Sequence, residues 1–76
     1  MMFEVRLNDC GKTYSKFYDT DQQVIIRLAA IYIAYRNCKD VWDVQVFDDG
    51  LECTDAQWVE EVVADILEML REQNDK

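Results

Sequence analysis

Apolar and polar residues alternate over Phe3-Glu4-Val5-Arg6-Leu7-Asn8 and again over Trp42-Asp43-Val44-Gln45-Val46. A period of two sends Phe3, Val5 and Leu7, and likewise Trp42, Val44 and Val46, to one face of a β-strand. Phe47 breaks the second series and sets an apolar ring on the opposite side. Each strand runs into one of the only two glycines, Gly11 or Gly50, where a tight hairpin needs positive φ; Asp49-Gly50 is a strong two-residue turn signal. The returning strand is expected over Lys12 to Tyr18 in the first case and as a stub near Leu51 to Cys53 in the second. Along Lys12 to Tyr18 the phase is ambiguous, with Tyr14, Lys16 and Tyr18 on one side and Phe17 on the other, which admits a bulge.

After Thr20 and Thr54 the period lengthens. Thr20-Asp21-Gln22-Gln23 and Thr54-Asp55-Ala56-Gln57 both read as capping boxes, each with an acid at the positive helix end, and predict helices over about Asp21 to Asn37 and about Asp55 to Gln73. In the second helix Val59, Val62, Val63, Ile66 and Leu70 make one core stripe. The first is apolar over most of its circumference. At about 100° per residue it carries three rows: Val24, Leu28, Ile31 and Tyr35; Ile25, Ala29 and Tyr32; Ile26, Ala30 and Ile33. The sheet can cover one row and the second helix another. Ile25, Ile26, Ala29, Tyr32 and Ile33 are therefore the candidate apolar interface, for a homodimer or for another protein; the alternative is a helix buried centrally beneath its neighbour.

The element order ββα-β(β)α predicts an α+β, two-layer domain spanning 1–76: a three- or four-stranded antiparallel sheet of hairpins with two helices on one face. Residues 3–11 and 42–50 both read aromatic, acidic, Val, polar, aliphatic and end in Asp-x-Gly, and the two helix starts also echo each other. This suggests a ββα pseudo-repeat over 3–38 and 42–74 whose second hairpin is shortened.

Composition narrows the chemistry. The 76 residues hold no His and no Pro, so Ser-His and Cys-His nucleophilic pairs, imidazole bases and His-containing zinc sites are excluded. Cys10, Cys38 and Cys53 are odd in number and far apart, which argues against a disulfide framework and for small buried thiols in a reducing cytoplasm. Cys53, just before a helix start, is the one thiol that a helix dipole could activate, although Glu52 and Asp55 oppose this. Met1 to Arg6 already alternates like a strand and not like a leader peptide. The most apolar run, Val24 to Tyr35, is too short to cross a bilayer, so a cytoplasmic protein without a membrane partner is expected.

The net charge of −8 disfavours direct binding to nucleic acid. It is also unevenly placed. Residues 1–38 hold four acids and five bases, whereas residues 39–76 hold twelve acids against Lys39, Arg71 and Lys76. In the second helix Glu61, Asp65, Glu68 and Glu72 form a narrow stripe opposite the core face, with neighbours about 5–6 Å apart. Asp48, Asp49 and Glu52 are expected to extend this field toward the turn. One reading of these seven acids is a solvated, solubilising face. The other is a row of carboxylates spaced like backbone phosphates, able to occupy the basic groove of a nucleic-acid-binding protein. The spacing of Asp48, Asp49, Glu52 and Asp55 does not fit an EF-hand loop, so neither metal nor cofactor is expected. A carboxylate pair such as Asp48 with Glu52 is the best the chain offers for acid-base catalysis, and it would need an enclosed pocket.

Small size, strong acidity, an α+β build and an unusual apolar surface, without catalytic motifs, together resemble the small phage-encoded inhibitors of bacterial defence, the anti-CRISPR proteins in particular. The resemblance is one of overall character and is carried by no motif. It implies a non-enzymatic inhibitor in the host cytoplasm that imitates nucleic acid in charge and occupies the DNA-binding surface of a CRISPR or nuclease complex. The alternative is a homodimeric structural or regulatory module acting through the apolar helix 21–37.

Overall fold

A computed structural model describes residues 2–74. The elements are β1 (Phe3–Asp9), β2 (Lys12–Tyr18), α1 (Asp21–Tyr35), β3 (Trp42–Asp48), β4 (Leu51–Glu52) and α2 (Gln57–Asn74). The four strands form one antiparallel sheet in the order β2-β1-β3-β4, giving an α+β fold. In both hairpins two residues of positive φ make the turn, Cys10 (49°) with Gly11 (85°) and Asp49 (51°) with Gly50 (87°), the pair of left-handed conformations that matches strand twist. β2 pairs with β1 without interruption from Phe3↔Tyr18 to Asp9↔Lys12, so it contains no bulge. On the other side of β1 the register places Arg6 opposite Gln45, equivalent positions in the two ββα units, which therefore meet symmetrically about that pair.

The strand periodicity is realised in the core. Phe3, Val5, Leu7 and Val46 from the sheet meet Val24, Leu28 and Ile31 from α1 and Val59, Ile66 and Leu70 from α2. Each large side chain removed from water here contributes about 1.5–3 kcal/mol before entropy is counted. α1 lies over β1, and α2 rests chiefly on α1. Aromatic edges close the two ends of the core, with Phe3 against Trp58 at 6.0 Å and Tyr32 against Trp42 at 5.2 Å.

α1 begins as its capping box requires. The Thr20 hydroxyl accepts from the Gln23 amide at 3.2 Å, and Gln23 Oε1 accepts from the Thr20 and Asp19 amides at 3.3 and 3.0 Å. The helix stops at Tyr35, two residues short of the expected Asn37, and Cys38 N–H turns back to the Tyr35 carbonyl at 2.9 Å. The second capping box does not form. β4 is only two residues long; the Val46 carbonyl still accepts from Cys53 N–H at 2.7 Å, but the Val46 amide has no strand carbonyl opposite it and donates to the Thr54 hydroxyl at 2.9 Å. With Thr54 committed to the sheet, α2 starts at Gln57, where Ala56 provides the first helical carbonyl, to Glu60 N–H at 3.0 Å. The Gln57 amide turns forward to Glu61 Oε1 at 3.0 Å instead of back to a cap.

The cysteines also depart from expectation. All three are free, but Cys10 is exposed and Cys38 and Cys53 are half-buried, so none is fully buried, and only Cys53 packs against the core. Cys10 is drawn to the surface because it occupies a turn position. No helix among the described residues is long and apolar enough to cross a membrane.

Candidate functional site: the acidic flank of α2

α2 is amphipathic, with Val59, Ile66 and Leu70 buried and Val62 and Val63 half-buried. Helical geometry then sets Glu61, Asp65, Glu68 and Glu72 within a stripe about 60° wide on the opposite side, and all four are exposed. None has a lysine or arginine nitrogen within ion-pair distance among the described residues, where the one ion pair joins Arg6 to Glu4 at 3.0 Å. That arginine lies on the open face of the sheet, held by Glu4 and stacked 4.3 Å from the centre of the Phe47 ring. Phe47, the apolar residue that broke the alternation, thus supports a cation. Arg36, just past the end of α1, reaches the Gln73 side-chain amide oxygen at 3.5 Å and pairs with no carboxylate among the described residues.

The three supporting acids do not join this surface. Asp48 faces the helix layer opposite Phe3; it is half-buried, and its Oδ1 is enclosed without a hydrogen-bond partner. Asp49 sits in the turn, and its Oδ1 accepts from the Met2 amide at 2.8 Å. Glu52 pairs across from Phe47 on the open sheet face, where its Oε2 accepts from Gln45 Nε2 at 3.3 Å and from the Thr54 hydroxyl at 3.0 Å. Strand alternation sends Asp48 and Glu52 to opposite faces, so the two share no site for a proton. Sequence reading missed a different grouping: Asp19, Asp21 and Asp48 line one recess beside Trp58. They come from the α1 cap and the end of β3, and no spacing along the chain links them. No three acidic or cysteine side chains among the described residues are placed to hold a metal ion.

The five candidate interface residues of α1 divide as well. Ile25, Ala29 and Tyr32 are half-buried, on the side of the helix toward α2, whereas Ile26 and Ile33 are 70% and 51% exposed on the side directly away from the core. A groove of ≈ 310 Å³ between α2 and β3, lined by Leu28, Tyr32, Val44, Val63 and Leu67 among others, was also unforeseen. It opens because β4 is too short to carry the edge past Val44.

The perturbed groups are thiols and phenols. Burial, then the charges of Asp48 and Glu52, raise the Cys53 thiol above its ordinary value. The helix begins at Gln57, four residues on, and the Cys53 thiol is raised, not activated as a helix dipole would have it. Cys10 is raised by local desolvation and by the carboxylates of Asp9 and Asp40. The Tyr35 hydroxyl donates to Asp9 Oδ2 at 2.9 Å, and that bond, followed by burial, raises its phenol; Tyr32 is raised by burial alone. No family model, curated protein or solved structure matches the chain.

Proposed function

We propose that this is a non-enzymatic acidic binding protein whose α2 flank engages the basic, nucleic-acid-binding surface of a partner protein. The observation that carries the reading is the row Glu61, Asp65, Glu68 and Glu72, exposed and, among the described residues, with no lysine or arginine nitrogen within ion-pair distance. A fold that needed only solubility would gain a few tenths of a kcal/mol per pair by alternating these acids with lysine; their uniform sign carries a cost of similar size instead. Carboxylates at this spacing imitate a phosphate row, and a one-signed field speeds association with a cationic groove. By the resemblance to anti-CRISPR proteins, the partner would be a CRISPR or nuclease complex and the outcome its inhibition in the host cytoplasm.

The test is capture from host lysate at low and then high salt, with captured proteins identified by mass. The wild type is expected to hold a nucleic-acid-binding protein that added salt releases. The triple variant Glu61→Lys, Glu68→Lys, Glu72→Lys, with its circular dichroism unchanged, is expected to hold none. Equal capture by both proteins would remove the proposal.

A second reading, a structural or regulatory module acting through α1, is favoured by the exposed row Ile26, Ala30 and Ile33. Partner binding that ignores salt and is lost in Ile26→Lys, Ile33→Lys would select it.

A further inference from the structure

β2 is the longest unpaired edge of the sheet: seven residues, bonded to β1 on one side and to nothing described on the other. Hairpin geometry fixes which of its groups are free. A two-residue turn closes on a mutually bonded pair, here Asp9 and Lys12, and bonded pairs then recur at every second residue. Lys12, Tyr14, Lys16 and Tyr18 therefore turn N–H and C=O toward β1. The neighbouring ladder agrees, since β1 reaches β3 through its even positions: Cys10 N–H donates to the Val41 carbonyl, and the Met2 carbonyl accepts from Asp49 N–H. Thr13, Ser15 and Phe17 point their backbone groups away from the molecule, and these three positions are symmetric about Ser15.

We propose that β2 pairs antiparallel with β2 of a second copy about a two-fold axis at Ser15, joining two four-stranded sheets into one of eight. In this register Ser15 faces Ser15 and Thr13 faces Phe17, and all of the outward N–H and C=O groups of both strands are used. On the helix side each lysine meets a tyrosine, Lys12 opposite Tyr18 and Lys16 opposite Tyr14, contacts suited to cation–π attraction. A slip of two residues one way sets Lys12 opposite Lys16, and the other way sets Lys16 opposite Lys16. Either slip loses backbone bonds and places like charges face to face. Lysine on an edge ordinarily deters pairing; here its positions disfavour both two-residue slips, and longer slips forfeit still more backbone bonds. On the open face Phe17, 63% exposed in the single chain, gains Thr13 as a cross-strand neighbour.

The rest of the molecule permits this arrangement. The two β1 strands would lie three strand spacings apart, about 14 Å, so the α1 helices above them stand clear of one another. α2 packs on the side of α1 that carries Ile25, Ala29 and Tyr32, whereas β2 lies on the side of Arg27. The two acidic flanks are thus held at opposite ends of the dimer, where their repulsion is screened. The inference rests on neither reading of function.

Sedimentation of the full chain over micromolar to millimolar concentrations tests it. The wild type is expected to dimerise and Ser15→Pro to remain monomeric. That substitution removes the N–H at the axis and the hydroxyl contact to Glu4 but leaves the bonds to β1 in place. With Cys10→Ser and Cys38→Ser as background, Ser15→Cys is expected to form a disulfide-linked dimer on mild oxidation. Thr13→Cys alone would not, and a mixture of Thr13→Cys with Phe17→Cys chains would. A wild type monomeric at every concentration overturns the proposal, as does a dimer that survives Ser15→Pro or one abolished only by Ile26→Lys, Ile33→Lys. Where Ser15→Pro fails to fold, the cross-linking pattern decides alone, and absence of the Ser15→Cys cross-link counts against the axis.

Discussion

In the first ββα unit a seven-residue strand returns along the whole of β1, a complete capping box opens α1, and the charge is nearly balanced. In the second the returning strand is two residues, a threonine hydroxyl finishes the ladder, α2 opens without that box, and the whole of the net negative charge is present. The same local pattern thus gives two different devices. What separates them is the length of the returning strand. A full strand leaves the threonine free to cap; a stub claims it for the sheet and leaves a groove beside β3. The first helix is then seated on the sheet and the second on the first helix.

Substitutions that treat the halves alike should expose this. The largest difference is expected between Leu28→Ala in α1 and Leu67→Ala in α2, whose side chains are 1% and 44% exposed. Urea unfolding should show a loss of about 3 kcal/mol for the first and under about 1 kcal/mol for the second. Equal losses would mean that α2 is seated as deeply as α1. Next in size is the threonine pair. Thr20→Ala and Thr54→Ala should each cost about 1 kcal/mol, by different routes. Amide exchange is expected to quicken at Gln23 in the first variant and at Val46 in the second, with the first turn of α2 unaffected by the loss of Thr54. The smallest effect concerns pH. The raised phenols of Tyr35 and Tyr32 both belong to the first unit. A phenol held protonated by the fold contributes stability that is complete below its unfolded value of about 10 and is lost as pH rises through the higher folded value. Tyr35→Phe should flatten the alkaline fall in the urea midpoint, and an unchanged slope would assign that fall elsewhere.

Much of this was legible along the chain. Period two placed Val5 and Val46 in the core, and the 3.6 period placed Leu28 there and the four acids of α2 on the outside, because an element's own geometry decides which of its residues share a face. Thr54 was misread because a cap and a ladder-closing hydroxyl have the same sequence signature; only the length of β4 distinguishes them. Asp48, Asp49 and Glu52 were grouped by proximity in sequence, yet alternation across a hairpin separates them in space. The recess of Asp19, Asp21 and Asp48 and the groove beside β3 arise where distant segments meet, and local pattern carries no trace of such meetings.

The central place of β1 has a consequence for how the chain is made. Its partner on one side, β2, follows within a two-residue turn, but its partner on the other, β3, is translated only after α1 has been completed. Until residues 42–48 leave the ribosome, a nascent hairpin and helix present the bare inner edge of β1 to the crowded cell. The acids that crowd the later half arrive together with the strand that seals it.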